Sequence, residues 1–222
     1  MKQPLALDDR LSRAAALFPA CAYGADIGAD HGRLSCYLLF SGKCKRMCVA
    51  DISAPSLQKA KALIEGQGLA ERADFCVGDG LSVLPQRADA VAILGMGGHT
   101  LCAILTSGAD SLQGASLILS AHTDVHLLRK TLMELHYRID REEIAFAAGR
   151  FYVVLRAVPG RESMGERELL LGPRLMENAP KHYREYLAWR IGIAAKKRTE
   201  EGKREWTWLK EEYSRVCNCG MD

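Results

Sequence analysis

The sequence predicts an α/β fold: a mainly parallel sheet that ends in an antiparallel hairpin, with a helical hairpin behind it. Three observations predict this. Short apolar segments alternate with helical stretches as far as Leu135, two strand-like runs then follow each other across a very short link, and beyond Pro159 and Gly160 the chain turns charged and helical. Alternating strands and helices imply parallel pairing, whereas a link of a few residues permits only an antiparallel hairpin.

Leu7, Leu11, Ala14, Ala15 and Phe18 share one helical face, with Asp8 and Asp9 in the first turn and Pro19 as the stop. Strands are expected at Tyr23–Gly28, Met47–Ile52, Ala73–Val77, Ala90–Leu94 and Ser116–Ala121. Helices are expected at Gly32–Phe40, Ser56–Gln67, Thr100–Thr106 and Val125–Leu135. Arg138–Phe146 and Phe151–Ala157 form the hairpin, joined by Ala147, Ala148, Gly149 and Arg150. After the Gly172-Pro173 turn, a helix near Lys181–Thr199 is followed by a second. There Trp206, Leu209, Tyr213 and Val216 recur at three- and four-residue steps, the stripe of one helix packing along another. Two domains follow, residues 1–160 and residues 161–222.

A chain of 222 residues can bury one full α/β core with about sixty residues to spare. No apolar run approaches the ~20 residues of a membrane span, and the first ten residues lack a signal-peptide core, so a cytoplasmic protein is expected. The eight cysteines include no Cys-x-x-Cys pair and sit mostly among apolar residues, which reads as reduced thiols without metal. Cys217 and Cys219 are assigned no role. A net charge of +3 permits a nucleic-acid partner without requiring one.

The chemistry concentrates where strands should end. Ala25-Asp26-Ile27-Gly28-Ala29-Asp30-His31-Gly32 falls at the first strand-to-helix turn, where glycines let backbone approach a ligand at the binding edge of an open α/β sheet. Asp51 closes the second strand and is spaced to accept from ribose hydroxyls. Asp79, in Gly78-Asp79-Gly80, can accept from an adenine amine, with Ile52 and Leu81 on either side of the ring. Taken singly, each acid is also an ordinary helix cap or turn residue. Asp30 occupies the place where a pyrophosphate would want glycine and no negative charge, which disfavours a nicotinamide dinucleotide and favours cationic, phosphate-free S-adenosylmethionine. The fourth strand ends in Gly95-Met96-Gly97-Gly98, whose small residues leave room for a flat base.

Together these residues resemble the bacterial tRNA (adenine-22-N1)-methyltransferase family. The likeness runs through Leu11-Ser12-Arg13, Asp26-Ile27-Gly28-Ala29-Asp30-His31, Gly78-Asp79-Gly80-Leu81, Gly95-Met96-Gly97-Gly98, Leu117-Ile118-Leu119, Leu128-Arg129, Gly149-Arg150-Phe151-Tyr152 and Leu171-Gly172-Pro173. The resemblance implies a Rossmann-like class I methyltransferase sheet, S-adenosylmethionine as cofactor, and methyl transfer to N1 of an adenine in the D-arm region of tRNA. It also implies a helical C-terminal domain that assists RNA binding. One departure is visible: the family usually shows Gln-Pro-Asn after the fifth strand, and this chain has Ser120-Ala121-His122, a change that either alters how the target base is held or makes His122 a substitute donor.

Asp26, Ile27, Gly28, Asp30, His31, Gly32, Asp51, Ile52, Gly78, Asp79, Gly80, Gly95, Met96 and Gly97 are therefore expected at the cofactor. Asp30 and His31 are the candidates nearest the reacting centre, although a histidine beside a glycine turn is more often a structural donor, and His31 then braces its loop. Gly98 and His122 border the substrate. Arg10, Arg13, Arg129, Lys130, Lys196, Lys197, Arg198, Lys203 and Arg204 are candidate RNA contacts, although Glu200, Glu201 and Glu205 interleave with the last group as on a solvated helix face. The Trp206-Leu209-Tyr213 stripe reads as hairpin core. The competing functions are a small-molecule methyltransferase and a non-catalytic RNA-binding relative.

Overall fold

A computed structural model describes residues 5–218; Cys219 lies outside the described residues. Helix α1 (Asp9–Leu17) is capped by Asp8, whose carboxylate accepts the Leu11 amide, and it leads into strand β1 (Cys21–Ile27). There follow α2 (Arg33–Phe40), β2 (Cys44–Asp51), α3 (Ala54–Gly66), β3 (Ala73–Val77), β4 (Ala90–Met96), α4 (Gly98–Ser107), α5 (Ala109–Leu112), β5 (Ser116–Ala121) and α6 (Val125–Glu134). The chain then forms β6 (Tyr137–Ala147) and β7 (Arg150–Pro159), and closes with α7 (Glu166–Leu171), α8 (Pro173–Asn178), α9 (Tyr183–Ala194) and α10 (Glu200–Asn218).

The seven strands form one sheet in the order β3-β2-β1-β4-β5-β7-β6. The first five are parallel, and β7 runs antiparallel to both neighbours. The order reverses at β1, so β1 and β4 diverge at their carboxyl ends and open the crevice in which such sheets bind ligands. The hairpin is longer than its sequence pattern: the ladder runs from Tyr137 opposite Pro159 to Ala147 opposite Arg150. Only Ala148 and Gly149 remain for the turn, both at positive φ (48° and 73°), the backbone of a tight primed hairpin turn.

Apolar residues fill both faces of the sheet. Val91, Ile93, Leu119, Leu101, Leu105 and Leu128 pack between the sheet and α4 and α6. Val49, Ala92, Ile118, Leu38, Leu57 and Phe18 pack between the other face and α1, α2 and α3. A third cluster joins Ile144 and Val153 of the hairpin to Leu171, Leu175, Tyr183, Leu187 and Leu209. The C-terminal helices thus share a core with β6 and β7. Leu209 is fully buried there, with Trp206 and Tyr213 packed alongside.

Lys196, Lys197 and Arg198, expected on a helix, lie instead in the turn between α9 and α10. The Thr199 hydroxyl accepts the Gly202 amide and starts α10 afresh. Among the described residues no helix is long and apolar enough to cross a membrane, and no cluster of His, Cys, Asp or Glu is placed to hold a metal.

Candidate active site

The turn after β1 is built by backbone. Gly28 and Ala29 both donate their amides to the Ala50 carbonyl at 2.9 Å, which ties the end of β1 to β2. Gly28 (φ 72°) and Gly32 (φ 66°) reverse the chain, and a Cβ on Gly32 would come within 2.6 Å of the Ala60 side chain in α3. Asp30 takes the left-handed conformation at φ 49°, and its amide donates to Asp51 Oδ2 at 2.9 Å. Asp51 Oδ1 accepts the Ser53 amide at 2.8 Å. One carboxylate therefore fixes both the first turn and the start of α3.

Asp30, Asp51 and Asp79 stand at the carboxyl ends of β1, β2 and β3, with Asp30 and Asp79 exposed and Asp51 half-buried. His31 Nδ1 lies 2.6 Å from Asp30 Oδ2, and both side chains face solvent. Ile52 is 70% exposed beside this edge, as a residue waiting to cover an apolar ring would be. Leu81 does not match it from the other side: it is buried against Gly108 and the core, because its short 3-10 turn points it inward. Asp26 is also interior, only 4% exposed, and accepts the Ser35 hydroxyl at 2.7 Å. Burial raises its carboxyl to about 6, the Ser35 hydrogen bonds opposing that rise. It braces the turn from below and presents no free oxygen at the surface.

At the end of β4, Gly95 is exposed and Met96 and Gly97 half-buried. Gly98 is not open to substrate. It is buried at the start of α4, where a Cβ would lie 2.6 Å from the Thr123 carbonyl, so its smallness serves close packing of the loop after β5.

Across from Gly95 the structure assembles a group that the sequence keeps far apart. Arg10 Nη1 lies 3.3 Å from His122 Nε2, and its guanidinium sits over the Tyr152 ring at 5.4 Å. His122 and Tyr152 also contact each other, with ring centroids 5.4 Å apart. Burial, then the nearby Arg10 and Arg150 charges, holds the His122 pKa below the usual histidine value. Tyr152 was not anticipated as a site residue; its signal was its place in the Gly149-Arg150-Phe151-Tyr152 run at the hairpin tip.

Arg129, expected to meet RNA, does not reach the surface. It is wholly buried, pairs through Nε with Glu142 at 2.8 Å, and donates from Nη1 to the carbonyls of Leu169 and Leu170 at 2.7 and 3.3 Å. It faces inward on α6 because β6 supplies a buried acid to meet it. Arg13 is neutralised by Asp9 and Glu143, and Lys197 is paired with Glu205. Lys203 pairs with Glu200 and Arg204 with Glu166, while Lys196 and Arg198 are exposed on the α9–α10 turn.

A glycine-shaped turn after β1, acids on three successive strand ends and an open glycine facing an aromatic and basic cluster define a class I methyltransferase domain. The chain belongs to the methyltransferase-domain family, which matches residues 7–155. It is 35% identical over 158 residues to the tRNA (adenine(22)-N(1))-methyltransferase of Bacillus subtilis, a match spanning 70% of this chain and 66% of that protein. Its fold is similar to the crystal structure of the B. subtilis m1A22 tRNA methyltransferase TrmK, at 28% identity with a TM-score of 0.80, covering 96% of this chain and 99% of the other. A Streptococcus pneumoniae protein solved in complex with S-adenosyl-L-methionine shares the fold at TM-score 0.88 over 94% of this chain and all of its own, with 23% identity.

Proposed function

We propose that this chain is an S-adenosylmethionine-dependent tRNA methyltransferase that acts in the cytoplasm on N1 of the adenine at position 22. The observation that carries the reading is the set of carboxylates Asp30, Asp51 and Asp79 along one sheet edge, next to the open Gly95, with the Arg33 guanidinium turned to the Ala6 carbonyl. That donor set fits a cationic ligand with ribose hydroxyls and an amine, and it would repel a pyrophosphate. The similarity to the B. subtilis enzyme supplies the substrate class.

When bound, the cofactor supplies an electrophilic methyl group on a sulfonium. Asp51 would accept from its ribose hydroxyls and Asp79 from its adenine amine, and Ile27, Gly28, Gly32, Ile52, Gly78, Gly80, Met96 and Gly97 would shape the walls around it. The N1 lone pair of the target adenine lies in the base plane, so catalysis is chiefly alignment of that lone pair and stabilisation of the cationic product. Asp30 accepts from the exocyclic amine of the target and favours the developing positive charge. His31 holds the Asp30 carboxylate in place. Arg10 can only donate, so the neutral His122 accepts at Nε2, the ring atom nearest Gly95, and carries its proton on Nδ1; the Arg10 guanidinium, beside Gly95, is the donor available to the substrate base.

Residues 1–160 perform catalysis and residues 161–222 help hold tRNA. Lys196 and Arg198, exposed on the α9–α10 turn, contact phosphates that position the RNA without reading its sequence. The target must leave its stack or tertiary pair to reach the edge. Incubation of an unmodified tRNA transcript with the protein and S-adenosylmethionine, followed by nucleoside mass spectrometry, should yield 1-methyladenosine. A methylated product of any other nucleoside would overturn the assignment.

A further inference from the structure

A cleft of about 730 Å³ opens between the carboxyl end of β5, the hairpin tip and the helices α9 and α10. We propose that it is a second base-binding site, which holds one unpaired nucleotide adjacent to the methylated adenine by stacking it on Trp189 and Phe151. The proposal rests on the tRNA reading above and goes beyond it by assigning residues outside the methyl-transfer edge.

Phe151 packs against Phe146, Trp189 and Tyr186 at centroid distances of 4.8, 5.8 and 6.2 Å. Yet Phe146 is 44% and Trp189 41% exposed, although a buried core lies directly beneath them at Tyr183 and Leu187. Flat rings left partly in water are the stacking platform that single-stranded nucleic acid uses, and each base is held through its π-face whatever its identity.

Of the cations on the cleft wall, Arg190 and Lys197 pair with Glu205, Arg204 with Glu166, and Lys130 with Glu134. Asp124 and Glu201 add further negative charge to the lining. A wall with no surplus of positive charge does not track a phosphate backbone, but it offers both donors and acceptors to the edge of a base.

His122 lines the cleft and is also the residue bonded to Arg10 beside Gly95, so one side chain borders both places. Drawing an adenine out of its stack exposes the faces of its neighbours, and a platform one residue away from the acceptor edge restores that lost stacking.

The test uses the full chain with a tRNA transcript carrying adenine at position 22. Trp189→Ala should raise the KM for tRNA about 5- to 100-fold, with kcat and S-adenosylmethionine affinity within about twofold of the parent. Trp189→Phe should restore most of the loss. A transcript made abasic at the nucleotide on one side of the target should raise the parent enzyme's KM by a similar factor and add nothing to the Trp189→Ala defect. If Trp189→Ala does not fold, Phe151→Leu, which removes the ring from the cleft wall while keeping an apolar side chain, decides on the same criteria. A KM for tRNA unchanged in the folded variant, or a defect that multiplies with abasic substitution on both sides, overturns the inference while leaving the tRNA reading standing. A parent enzyme that methylates no tRNA overturns both.

Discussion

Replacing Arg129 by alanine should destabilise the protein by about 3–5 kcal/mol, because it strands a buried carboxylate. Arg129 and Glu142 are both wholly shielded from solvent, and their 2.8 Å contact joins α6 to β6. Glu142 Oε2 also accepts the Arg174 amide at 3.0 Å, and Arg129 Nη1 serves the carbonyls at the end of α7. The pair therefore pins the C-terminal helices to the catalytic sheet. At about 2–4 °C per kcal/mol for a chain of this size, the expected fall in Tm is about 6–20 °C. The double variant Arg129→Met with Glu142→Gln removes the stranded charge while keeping an acceptor for the Arg174 amide, and should recover at least half of the loss. Thermal unfolding followed by circular dichroism measures both variants. If Arg129→Ala unfolds at the parent temperature and only weakens tRNA affinity, the buried assignment is wrong.

Asp51→Ala should weaken S-adenosylmethionine binding about 10- to 100-fold, as expected for loss of hydrogen bonds to a charged group. Titration calorimetry would refute the assignment by finding unchanged affinity. Asp26 titrates at 3.8 when unfolded and at about 6 when folded, so between those values the folded protein binds more protons and its stability falls as pH rises. That loss amounts to about 3 kcal/mol. Relative to the parent, Asp26→Asn should therefore gain up to about that amount between pH 4 and pH 7.5, measured by urea unfolding, and a pH-independent difference would contradict the burial. Ala148 sits at φ 48° in the hairpin turn, where Asn-Gly is the favoured pair. Ala148→Asn should relieve about 1 kcal/mol of backbone strain and raise the Tm by about 2–4 °C; a lower Tm would refute that reading of the turn.

What the sequence revealed and what it hid divide by distance along the chain. The Asp30–Gly32 turn, Asp51 and the hairpin are local patterns, in which glycine, acid and strand end fall within a few residues, so their placement at one sheet edge follows from alternating strands and helices. Arg10 and His122 are 112 residues apart, and only the packing of α1 beside the end of β5 brings them together. Arg129 reads as a surface cation because helical spacing does not reveal that Glu142 waits inside β6. The same blindness made Leu81 a wall of the cofactor site and Gly98 a substrate contact: a short 3-10 turn and a tight loop after β5, both tertiary features, direct them inward. The short helices α7 and α8 escaped notice because six residues are too few to display a helical period.

The central claim is tested most directly by methyl transfer from labelled S-adenosylmethionine to two tRNA transcripts that differ only in having adenine or guanine at position 22. Label is expected in the adenine transcript alone, recovered as 1-methyladenosine. Equal labelling of both transcripts, or of neither under conditions where the cofactor binds, would contradict it.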